Sequence, residues 1–171
     1  MAGPFLTGLP DDLPELTAFA GFLQSLRDDP GLLAISPKVN VWGPEGEALL
    51  SPMLAPAPAI VNLPLIRVWP GNYPSRWENE GQHSGKLDLN IELICPGIHY
   101  QDRFGLWTAF YRAVYPPDVD RNALVLTRVT GSATGLVNFE LRQAATAPVQ
   151  PLGSDLFAQK TTAILTLTFQ F

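Results

Sequence analysis

Glu78, Glu80 and His83 place three potential hard-metal ligands within six residues, and carboxylates with an imidazole are a donor set that a divalent cation accepts. The same three residues also make up a solvated charged loop. Spacing alone is weak evidence for a ligand set, and no further ligand cluster is visible, so the solvated loop is the reading adopted and no metal is assigned. His99 and Asp102, either side of Tyr100-Gln101, could form an acid/base pair; the preferred reading is a capping site in which both side chains accept from free backbone N–H groups. Tyr73, Arg76 and Trp77 are of types enriched at the energetic centres of protein interfaces. With Glu78 and His83 they are the candidates for a protein-binding surface. The chain contains no Gly-x-x-x-x-Gly-Lys loop, no Gly-x-Ser-x-Gly elbow, no His-Glu-x-x-His pair and no Cys-x-x-Cys, so no catalytic residue and no cofactor is assigned. A protein that is not an enzyme is expected. The rival is a small α+β enzyme or ligand-binding protein using the Glu78/His83 loop.

The elements that would position these residues are legible from periodicity. Leu87, Leu89, Ile91, Leu93 and Cys95 alternate with Lys86, Asp88, Asn90, Glu92 and Ile94, a period of two that describes a strand with one buried face. After Pro96-Gly97 the spacing changes. Phe104, Trp107, Tyr111 and Val114, widened by Phe110, predict an amphipathic helix from Asp102 to Tyr115, stopped by Pro116-Pro117. A first helix is expected from about Leu13 to Arg27, with Pro14 in its first turn and Leu16, Phe19, Ala20, Leu23 and Leu26 buried. Asp28-Asp29-Pro30-Gly31 ends it. Leu32 to Ile35, Val39 to Trp42, Ile60 to Trp69 and Ala163 to Phe171 read as strands, with Pro64 implying an edge position or a bulge. Leu124 to Thr130 and Leu136 to Arg142 read as a hairpin. Pro70 to Gly85 reads as a polar loop without secondary structure, mobile in the isolated subunit. The fold class is α+β: a mostly antiparallel sheet with the two helices packed on one face.

One domain spanning residues 1–171 is expected at this length. The 17 prolines are about twice the usual share of roughly 5%, which implies long Pro-rich excursions at about residues 43–58 and 143–160. The net charge of −5 comes wholly from the first fifty residues, where seven acids stand against Arg27 and Lys38; the remainder carries nine charges of each sign. Such a balance is unsuited to gripping nucleic-acid phosphates. A lone cysteine, Cys95, excludes an internal disulfide and reads as a buried, inert thiol. The first ten residues lack the basic start and apolar run of a secretory signal, and no membrane segment is expected.

The order of elements, with the strand Lys86 to Cys95 running into Asp-Arg-Phe-x-Leu-Trp-x-Ala-Phe (Asp102 to Phe110), resembles the tail terminator, or tail completion, proteins of long-tailed bacteriophages, from Ile60 onward. The resemblance implies a structural virion protein of the tail neck, assembled in the host cytoplasm. It implies a homo-oligomer, a hexameric ring that caps the tail tube and joins it to the head connector. DNA would pass through the lumen without sequence-specific binding, the acidic first segment repelling its phosphates. No membrane partner is implied.

Overall fold

The computed structural model describes residues 14–43, 63–72, 75–79, 82–117, 136–146, 150–151 and 157–170. Among them are helices α1 (Pro14–Arg27), α2 (Pro30–Leu33) and α3 (Tyr100–Val114), and strands β1 (Asn40–Trp42), β2 (Leu65–Pro70), β3 (Ser75–Asn79), β4 (Gln82–Pro96), β5 (Leu136–Thr146), β6 (Gln150–Pro151) and β7 (Phe157–Gln170). The strands form one sheet in the order β1-β2-β4-β7-β5, with β3 paired to β4 and β6 to β7. β1 and β2 are parallel; the other described pairings are antiparallel.

The alternation in the sequence explains the layering. Side chains on a strand point to opposite faces in turn, so Leu87, Leu89, Ile91, Leu93 and Cys95 of β4 share a face with Ala163, Leu165, Leu167 and Phe169 of β7, and all are buried. Phe19, Phe22, Leu23 and Leu26 of α1 and Leu106, Phe110, Ala113 and Val114 of α3 close over them in one cluster. Both helices therefore pack on the same face of an α+β fold. Each fully buried Leu or Phe contributes about 1.5–3 kcal/mol, and a one-residue slip of β4 would turn the whole set outward. That pattern fixes the register.

The opposite face is mostly polar and internally paired. Arg67 donates from both Nε and Nη2 to Oε2 of Glu92, and Lys160 Nζ donates to its Oε1 at 3.1 Å. Next along the sheet, Thr166 donates to Asp88 at 2.7 Å and accepts from Arg142 at 3.3 Å. Glu92 is buried, and two cations on one carboxylate offset the cost of taking that charge out of water. At one end of this face Leu63, Leu65, Ile94 and Ala158 form a small second apolar cluster against Trp42.

Several sequence expectations need correction. Residues 70–85 are not a structureless loop: Ser75–Asn79 pairs antiparallel with the start of β4, from Ser75↔Gly85 to Asn79↔Gln82. A polar strand has no hydrophobic alternation to betray it, yet its backbone groups find partners as readily as any others. Residues 32–33 lie in α2 rather than a strand, because Asp29 caps a new helical turn by accepting from Leu32 N–H at 3.0 Å, with Pro30 at its first positions. Asp29 is buried in that role. Pro64 makes neither an edge nor a bulge. It precedes β2, which lies between β1 and β4, and its carbonyl accepts from Asn40 N–H at 2.9 Å. In α1, Ala20 is exposed and Ala18 and Phe22 are buried instead.

The expected excursion at about 143–160 is cut short by structure at both ends. β5 runs to Thr146, Gln150–Pro151 forms β6, and β7 begins at Phe157. There Ala158 is buried on one face and Gln159 and Thr161 on the other, so the strand pattern continues in polar residues. The excursion from 44 to 58 and the hairpin partner at 124–130 lie outside the described residues, as do the ends of the expected strands at 60–62 and 171.

Candidate interaction surface

The residues singled out for binding fall on a strand pair. Arg76, Trp77 and Glu78 lie on β3 and His83 on β4, with Trp77 and His83 register partners; Tyr73 and Glu80 lie outside the described residues. The fold thus brings His83 beside Trp77 on neighbouring strands. Among the described residues no group of three or more His, Cys, Asp or Glu side chains could hold a metal ion.

His99 is the N-cap residue of α3, with extended backbone, and its side chain makes no capping hydrogen bond. The expected paired cap is therefore absent on the His99 side. Asp102 sits in the first helical turn, where its charge favours the positive end of the helix dipole. The entry into α3 is held by another residue. Gln159, on β7 and 2% exposed, donates from Nε2 to the carbonyls of Gly97 (3.3 Å) and His99 (2.9 Å). Gly97 turns the chain with φ of +87°, a region that only glycine enters without strain. Its N–H donates to Phe157 O at 2.7 Å. Nothing in the sequence pattern marks Gln159 for this task, because a buried glutamine in a strand reads like a solvent-facing one.

The phase of α3 departs from expectation. Its buried residues are Leu106, Phe110, Ala113 and Val114, while Phe104 and Tyr111 are exposed and Trp107 is half-buried at the margin of the core. Tyr100 and Phe104, 60% and 56% exposed, meet edge to face with centroids 6.2 Å apart. Arg103 lies over the Phe104 ring at 5.2 Å. Trp107 bridges inward to Phe110 (5.9 Å) and onward to Tyr111 (6.4 Å). Tyr111 meets Tyr115, whose ring stacks on Phe139 and whose hydroxyl accepts from Leu141 N–H at 2.8 Å. One side of α3 is thus a row of aromatic rings, anchored to β5 at one end and open to solvent at the other. Exposed Ile98 precedes it in the turn. Tyr, Phe and a stacked Arg offer large area at small entropic cost, which is the composition of an interface anchor.

On the other side of the same helix the surface is concave. A cavity of about 350 Å³ opens between α3, the turn after α2 and the end of β4, lined by Ile35, Pro37, Pro64, Cys95, Asp102 and Gly105 among others. A wider groove of about 530 Å³, with Phe104 as one wall, adjoins it, and Gly105 and Ala109 line both. Cys95 at the cavity does not invite chemistry. Burial, reinforced by the nearby Asp102 charge, pushes its thiol up to about 12, so the reactive thiolate is scarce at neutral pH. No helix among the described residues is long and apolar enough to cross a membrane. No protein-family model matches the chain, and no curated protein matches it significantly.

Proposed function

We propose that this protein is a structural subunit that assembles with copies of itself into a ring, in the manner of the phage tail terminators that its layout resembles. On this reading the ring caps a tail tube, joins it to a head connector and lets DNA pass through a lumen that the acidic first segment keeps unattractive to phosphates. The observation that carries the proposal is the exposed aromatic row of α3. A helix that already seats Leu106, Phe110, Ala113 and Val114 in the core has its structural need met, yet it also holds Tyr100, Phe104 and Tyr111 out in water. Exposed apolar side chains gathered in one place, unlike those scattered singly, mark contact surfaces. The hexamer is the ring size that the resemblance implies.

The test is the mass and shape of the protein in solution. Light scattering and negative-stain microscopy across a concentration series, with and without purified tail tubes, should show a ring far above the monomer mass of 18.6 kDa, or density capping tube ends. A chain that stays at the monomer mass and leaves tube ends bare would overturn the reading.

A further inference from the structure

Ring assembly needs two different patches on each subunit, because a head-to-tail contact joins one surface to another and repeats. We propose that the aromatic row of α3 on one copy seats in the smaller cavity, the one beside Cys95 and Gly105 on the far side of α3, of the next copy. This inference rests on the ring reading and names its contact.

The placement follows from helical spacing. At 3.6 residues per turn, Tyr100, Phe104, Trp107 and Tyr111 share one shoulder of α3. Gln101, Gly105 and Ala109 recur every four residues on the other shoulder, beside the cavity that they help to line. The core face lies between the shoulders on the inside and Thr108 between them on the outside, while Arg112 shares the second shoulder with Gly105 and Ala109. Knob and hole stand on different shoulders of one helix, and none of Tyr100, Phe104 and Tyr111 lines the cavity of its own chain. The two meet between copies that follow one another in the same sense of rotation.

Charge agrees with shape. The knob carries Arg103 stacked over Phe104, and Asp102 is the formally charged residue in the lining of the cavity. A cation arriving with the rings finds a carboxylate at the hole. The floor is also made for close approach. A Cβ built at Gly105 would meet nothing within 4 Å, so a neighbour's ring can come down to the helix backbone there. Apolar Ile35, Pro37 and Pro64 complete the walls.

The experiment uses two variants of the full chain. Tyr100→Ser with Phe104→Ser removes the knob and leaves the hole; Gly105→Phe fills the hole and leaves the knob. Under conditions where the wild type forms rings, each variant alone should remain at the monomer mass with a wild-type circular dichroism spectrum. Their mixture should give a pair of twice that mass and nothing larger, since one intact knob and one intact hole remain between them. Folded variants that each form wild-type rings, or a mixture that forms no pair, would overturn the contact while the ring reading stands. A wild type that forms no ring would overturn both. Should a variant fail to fold, charge exchange decides: Arg103→Glu alone and Asp102→Lys alone should each cut assembly at least tenfold, and the two together should restore it; failure to restore counts against the contact.

Discussion

The inner and outer sides of α3 are built from the same kinds of residue and meet opposite fates. Inside, Phe110 is fully buried among Leu106, Ala113, Val114 and the sheet; outside, Phe104 is 56% exposed beside Tyr100. Both sides have helical spacing, and both are apolar enough to seat against a sheet. What separates them is fit. Leu106, Ala113 and Val114 are small enough to bring α3 close to β4 and β7, whereas a face of Tyr, Phe, Trp and Tyr would hold the helix away and leave voids that a packed interior does not tolerate. The inner side chains also carry no polar atom, whereas Tyr100, Trp107 and Tyr111 would each need a hydrogen-bond partner if buried.

Substitutions on the two sides should therefore be read by different instruments. Phe110→Ala, made against the sheet, should cost about 3–5 kcal/mol in chemical unfolding; a loss below about 1 kcal/mol would mean that α3 does not seat as described. Glu92→Ala, on the far face of the sheet, strips Arg67 and Lys160 of their shared acceptor and should cost roughly 1.5–3 kcal/mol, the range for hydrogen bonds to charged groups. Both cations are partly exposed and recover some hydration. Gln159→Leu should cost about 1–3 kcal/mol, mainly by removing the side-chain donor to the Gly97 carbonyl, since the His99 carbonyl still accepts from Asp102 N–H at 3.2 Å. Hydrogen exchange of α3 should rise at its first turn before its last, and uniform exchange along the helix would mean that Gln159 does not hold its entry. Phe104→Ser should change unfolding by no more than about 0.5 kcal/mol, as exposed positions do, while changing the mass of the assembly. If it unfolds the protein instead, the outer side is core and the comparison fails.

Much of this fold is written in the chain, and the omissions share a cause. β4 and β7 are legible because a long unbroken alternation has one explanation. α1 is legible from Pro14 and its apolar spacing. The phase of α3 is not, because apolar residues occur almost all round it, so two stripes about 100° apart fit the sequence and only packing against the sheet selects between them. β3 is hidden because SRWEN has no apolar alternation, and α2 because Asp29-Pro30, the cap and first residue of a new helix, equally describes the end of the one before. Of the candidate site, Arg76, Trp77, Glu78 and His83 are neighbours in the sequence and in the fold, but on paired strands rather than on a loop. The aromatic row is visible residue by residue, yet its helical spacing points to the interior.

The pairing of β4 with β7 also bears on how the protein comes to be made. β4 meets β2 and β3 from nearby sequence, but its other edge waits for β7, where Pro96 must find Ala158 and Ser84 must find Gln170. During synthesis at the ribosome the long apolar face of β4 therefore emerges well before the strand that completes it. Contacts so distant along the chain make for slow folding, and an uncompleted edge exposes the nascent protein to pairing with the wrong strand. Removing β7 would take out the centre of the sheet rather than trim its margin, leaving both β4 and β5 without the neighbour they share.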